Sequence, residues 1–183
     1  MLAFKNRHRS FINILVLGLG LIWIAISSVG QTFTDRSIPA PRRGFLAPDF
    51  SLINLDGQEI RLADFHGRPV MVNFWASWCP PCRAEMPAFQ NIYTEYEAQG
   101  FVVLAVNSQE SRTTAVDFAQ TRALTFPILL DEDGNLSSRY QAESLPTTFF
   151  INKFGYISNV IYGGPISEAF LRIQVEKLLE EVP

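Results

Sequence analysis

Cys79-Pro80-Pro81-Cys82 sets two thiols three positions apart, and the 183-residue chain contains no other cysteine. Such a pair can serve four chemistries. A structural zinc site takes four ligands, and the domain adds only His66 to these two thiols. Covalent haem attachment requires a histidine directly after the second cysteine, where Arg83 stands. A purely structural disulfide stabilises by closing a loop, and closing two residues removes little chain entropy. A redox dithiol remains, and it calls for no metal and no cofactor. With Cys79 at the mouth of a helix and Cys82 one turn in, both sulfurs lie on one side. Cys79, expected nearer the surface, meets the positive end of the helix dipole, which favours its thiolate as the attacking group. Cys82 then resolves the mixed disulfide from beneath. Pro80 and Pro81 suit the first helical turn, yet they remove two N–H groups that would have stabilised that thiolate. The expectation is a comparatively reducing couple.

The segments around the motif read as an α/β domain. "PDFSLINLDGQEIRLADF" alternates apolar and polar residues about Asp56-Gly57, a hairpin pattern. "PVMVNFWA" (69–76) and "FVVLAVNS" (101–108) are nearly continuous apolar runs, as in strands buried on both faces. Between them Met86, Phe89, Ile92, Tyr93 and Tyr96 recur at helical spacing as far as Gly100, with Pro87 expected to kink the helix. A helix over 113–122, a strand in "FPILLD", a hairpin turning at 153–155 and a final helix capped by Ser167 complete the order. Hairpin strands run antiparallel, so the sheet is mixed.

"VNFWASWCPPC" resembles the active site of the thioredoxin superfamily. "WCPPCRAEMP" and "YQAESLPTTFFINKFGYI" are similar to its TlpA/ResA-like, AhpC/TSA-redoxin-related branch of membrane-anchored, extracytoplasmic thiol-disulfide oxidoreductases. The likeness covers about Ala47 to Leu179. It implies a thioredoxin fold, a mixed central sheet flanked by helices, with an N-terminal β-hairpin extension and a central α/β insertion. It implies Cys79 as nucleophile and Cys82 as resolving thiol. Leu145-Pro146 would be a cis-proline loop that meets an extended substrate, beside Trp78 and Pro80. Where thioredoxins proper carry a buried aspartate the chain has Asn73, which takes no proton, and the branch's alternative proton carrier falls on Glu85. As a first-turn acid, Glu85 has a plainer role complementing the helix dipole. Trp75 and Trp78 would shield the sulfurs or simply pack, His66 reads as a surface turn residue, and the Asn135-Leu136-Ser137 glycosylation pattern reads as chance.

Residues 1–10 form a basic leader, and 11–30 are apolar and long enough to span a bilayer as a helix. The reading favoured is an uncleaved anchor, with a cleaved signal peptide as its rival. Lys/Arg counts on the two sides tie, and the leader abutting the span favours an inside N-terminus. Residues 31–43 read as a linker and 44–183 as one domain large enough to fold without staples. That domain carries 9 Lys/Arg against 17 Asp/Glu, a net of −8, which excludes a nucleic-acid module. The resulting expectation is a single-pass membrane protein facing the extracytoplasmic or periplasmic side. It would reduce protein disulfides, with the cysteine pair of apocytochrome c as leading client, and draw electrons from a thiol reductant relay in the membrane. Two rivals stand beside it. "APDF" also resembles a peroxiredoxin-like peroxidase, but Ala76 occupies the position of that class's Thr or Ser. A Cu(I)-binding CxxC module is the other.

Overall fold

Among the described residues seven strands build one sheet: β1 (Ser51–Asn54), β2 (Glu59–Arg61), β3 (Val70–Trp75), β4 (Val102–Ser108), β5 (Ile128–Asp131), β6 (Thr147–Ile151) and β7 (Ile157–Tyr162). Among the described residues four α-helices accompany them: α1 (Pro80–Tyr96), α2 (Arg112–Thr121), α3 (Asn135–Arg139) and α4 (Glu168–Glu180). This computed structural model describes residues 36–181, so the leader, the apolar segment 11–30 and the start of the linker lie outside the described residues. Among the described residues no helix is long and apolar enough to cross a membrane.

The strands lie in the order β2-β1-β5-β4-β3-β6-β7. β3, β4 and β5 run parallel, with Val70 opposite Val102 and Trp75 opposite Asn107. β6 pairs antiparallel with β3, and β7 with β6. The β1–β2 hairpin adds to the far side of β5, antiparallel. The expected thioredoxin fold is present: α2 and β5 form the insertion, and β1–β2 form the N-terminal hairpin.

β3 and β4 are buried at every position, which is why their sequences are apolar runs without alternation. Alternation survives as a division between two cores. Met71 and Trp75 point to the face covered by α1, α2 and α4, where they join Phe89, Phe118 and Leu171. Val70, Val72 and Phe74 point the other way, into a cluster with Leu104, Tyr140 and Phe149. Among the described residues two peptide bonds are cis, Leu145–Pro146 as the resemblance implied, and Gly164–Pro165, which nothing in the sequence announced.

Candidate active site

β3 ends at Trp75 and α1 begins at Pro80, so the intervening loop delivers Cys79 to the helix as its N-cap. Cys79 and Cys82 are joined in a disulfide. Both are buried: Cys79 is 2% exposed and Cys82 fully enclosed, so the expected difference in depth between the thiols is slight in this oxidised state. The Cys82 N–H donates to Cys79 Sγ at 3.3 Å. Arg83 N–H goes to the Cys79 carbonyl at 3.1 Å, and Pro80 and Pro81 have no N–H. Of the first-turn amides, Cys82 alone reaches the sulfur.

One turn beyond Cys82, Glu85 is enclosed completely. Its Oε1 accepts from Asn73 Nδ2 at 3.1 Å, and Oε2 from the Ile166 N–H at 3.2 Å. The second Asn73 amide hydrogen goes to Thr148 Oγ1 at 2.9 Å. Burial pushes the Glu85 carboxyl up to about 7, although both donors favour its charged form. A surface acid complementing the helix dipole would not be enclosed this way. Proton exchange near neutral pH, one turn from Cys82, is what the arrangement can do chemically.

Gly164 holds this carboxylate and the cis-proline loop together. A Cβ there would lie 2.7 Å from both Glu85 Oε2 and Pro146 Cγ, so only glycine lets the 163–166 segment pass between them. Sequence reading missed Gly164 and Ile166; the Gly163-Gly164-Pro165 cluster after a strand was the available signal.

The predicted substrate contacts differ in exposure. Trp78 is 67% exposed, Pro80 is exposed, Leu145 is half-buried and Pro146 is buried. Trp75 is fully buried, its ring 4.6 Å from that of Phe118, and belongs to the core. Trp78 and Leu145 line one groove of about 350 Å³ with Ser108, Gln109 and Glu143. Around the proline, the Ser144 carbonyl accepts from Thr147 Oγ1 and the Pro146 carbonyl from the Gly163 N–H. Leu145's own N–H and C=O have no partner among the described residues, leaving one donor and one acceptor for an extended chain.

Glu110, which the sequence did not single out, pins the approach to the cysteines. Its carboxylate accepts from Ser77 N–H at 2.7 Å, Ser77 Oγ at 2.5 Å and Asn107 Nδ2 at 2.7 Å. It thus ties the end of β4 to the loop that carries Trp78. His66 lies in an exposed turn beside the pocket at the far end of β3, away from the cysteines. Among the described residues no group of three or more His, Cys, Asp or Glu is placed to hold a metal ion.

Fold and disulfide define a thioredoxin-fold redox protein, and comparison with known proteins places it. The chain belongs to the AhpC/TSA family, whose profile matches residues 44–160. Its relatives narrow this further, to thiol-disulfide oxidoreductases. The thiol-disulfide oxidoreductase ResA of Geobacillus kaustophilus (strain HTA426) is 36% identical over 173 residues, covering 92% of this chain and 95% of the relative. ResA of Bacillus subtilis (strain 168) is 33% identical over 162 residues, covering 87% and 88%. Among solved structures, StoA from Bacillus subtilis superposes with a TM-score of 0.61 at 31% identity, over 69% of this chain and 96% of its own. A thioredoxin-family thiol:disulfide interchange protein from Chlorobium tepidum TLS gives 0.68 at 28% identity, over 78% and 98%.

Proposed function

We propose that this oxidoreductase works as a reductase of protein disulfides, tethered by residues 11–30 with its domain on the extracytoplasmic side. Its leading client is the cysteine pair of apocytochrome c. The observation that carries the reductive direction is the sparse stabilisation of Cys79, with one N–H on its sulfur and two prolines where further donors would stand. Client and location rest on the resemblance to the ResA-like branch and on the apolar segment.

In the reduced enzyme, the Cys79 thiolate attacks one sulfur of the client disulfide. A mixed disulfide forms, and the client's other sulfur leaves as a thiolate. Cys82 gives its proton to the Glu85 carboxylate and attacks Cys79, closing the Cys79–Cys82 disulfide. The client's second sulfur departs, and Glu85 supplies a proton to the departing thiolate. Two electrons have then passed to the client, and a thiol relay in the membrane must return two to the enzyme. Trp78, Pro80, Leu145 and Pro146 hold the client as an extended strand against the groove.

The test is the reduction potential of the protein, equilibrated against glutathione and thioredoxin couples. Thioredoxin lies near −270 mV and strong oxidants near about −120 mV. A value below about −230 mV supports the reductase, and one above about −180 mV reverses its direction. Consumption of hydrogen peroxide at the rate of disulfide exchange would move the reading to a peroxidase.

A further inference from the structure

The end of the domain opposite the cysteines gathers cations that the domain's acidity conceals. Arg68 and Lys153 rim a cavity of about 350 Å³ lined by Leu46, Leu62, Phe65 and Phe154. Arg36, Arg43 and Lys177 rim a neighbouring cleft, and Asn152 lies in both. Gly67 N–H donates to the Lys153 carbonyl at 3.0 Å, which joins the two turns at this pole. Arg42 lies between Arg36 and Arg43 in the same irregular segment, its guanidinium 4.1 Å from the centre of the Phe45 ring.

None of these six cations forms an ion pair with another described residue, whereas Arg61 and Arg172 do. The acids lining the same two hollows are Asp49 and Glu181. Asp49 accepts the Ala63 N–H; Glu181 accepts from Asn152 Nδ2 and Ser158 Oγ. Apolar groups lie beside the charges: Ile38 is 61% exposed, and Lys153 sits 5.5 Å from the Phe154 ring. Cations set beside half-buried aromatic rings and an exposed apolar side chain are a composition that anionic bilayer interfaces attract.

We propose that this pole docks on the anionic lipid headgroups of a bilayer surface, which turns the Cys79–Cys82 end toward solution. The proposal deepens the membrane-tethered reading and rests on it for the nearness of the bilayer. Connectivity supports it, because only residues 31–35 separate the apolar segment from Arg36, a contour of at most about 18 Å. β3 leads from Val70 at this pole to Trp75 beside the cysteine loop, so the disulfide lies at the far end of the strand. Glu110 and Glu143 stand at that end, where like charge with the lipid favours the same orientation.

Residues 36–181 contain every described strand and helix and both cores, and form one compact unit. Flotation of residues 36–183, which lack the apolar segment, therefore isolates the docking. The vesicles are phosphatidylcholine alone or mixed with phosphatidylglycerol. The domain is expected to float with the mixed vesicles only, and less as salt rises. Each of Arg42→Gln, Arg43→Gln, Arg68→Gln and Lys153→Gln should weaken binding about fivefold. Arg83→Gln, an exposed cation at the cysteine end, should leave it unchanged.

Equal flotation with both vesicle types, or with neither, overturns the docking, as does binding that the four substitutions leave intact. Polyglutamate that captures the domain more tightly than the mixed vesicles, through the same four residues, would replace lipid by an acidic protein partner. The tether is read separately from the full chain. Should it fail to float with neutral vesicles, the anchor falls while the domain's result stands.

Discussion

Cys79 and Glu85 divide the work of the proposed reaction, and each makes its own prediction. Pro80→His restores an N–H to the first turn of α1 and adds an imidazole beside the sulfur, so the Cys79 thiolate is better stabilised. Thiolate absorbance on pH titration should show its pKa falling, and each unit should raise the potential by about 30 mV. An unchanged pKa would remove the role given to the prolines. Glu85 titrates near 7 in the oxidised fold against 4.5 unfolded, so the fold holds its proton longer than the unfolded chain does. Its contribution is fully present below about pH 4.5 and is lost as pH rises through about 7, roughly 3 kcal/mol in all. Urea unfolding of the oxidised protein across that window should show the decline, and Glu85→Gln should flatten it. A slope that survives the substitution would assign it to another group.

At the scale of elements, legibility followed the length of the pattern. β3 and β4 could be read because a strand buried on both faces must be apolar throughout, and α1 because five apolar side chains repeat along it. α3 could not, since the five residues Asn135–Arg139 carry no period. Asp131 holds its first turn instead, its carboxylate accepting from Leu136 N–H, Ser137 N–H and Ser137 Oγ. The same limit applied within the site. Two cysteines in one turn are visible in a string, and Glu85 follows from a fixed offset. Glu110 lies 33 residues from Ser77, and Gly164 lies 79 residues from Glu85, so only the folded chain joins them. Glu110→Ala should cost about 1–3 kcal/mol, because it strips a hydrogen-bond acceptor from three donors. Trp78 fluorescence anisotropy should fall with it as the loop loosens, and Glu110→Gln should restore part of both. Unchanged anisotropy would show that the loop holds its place without the carboxylate.

At the scale of the molecule, both cores share one sheet, so the domain should unfold as a unit. Calorimetry of residues 36–183 should give one transition whose van't Hoff and calorimetric enthalpies agree; two transitions would separate the hairpin and insertion from the rest. The hairpin also settles a matter of company. Without it, β5 would end the sheet as an open ladder of buried, apolar strand, an invitation to pair with a neighbouring chain. With it, the margin on that side is β2, three residues long, with Glu59 and Arg61 exposed on either side of Ile60. So short and charged a border gives a second molecule little to continue. An oxidoreductase proposed to receive extended client segments at its groove can thereby meet them without recruiting them into its sheet.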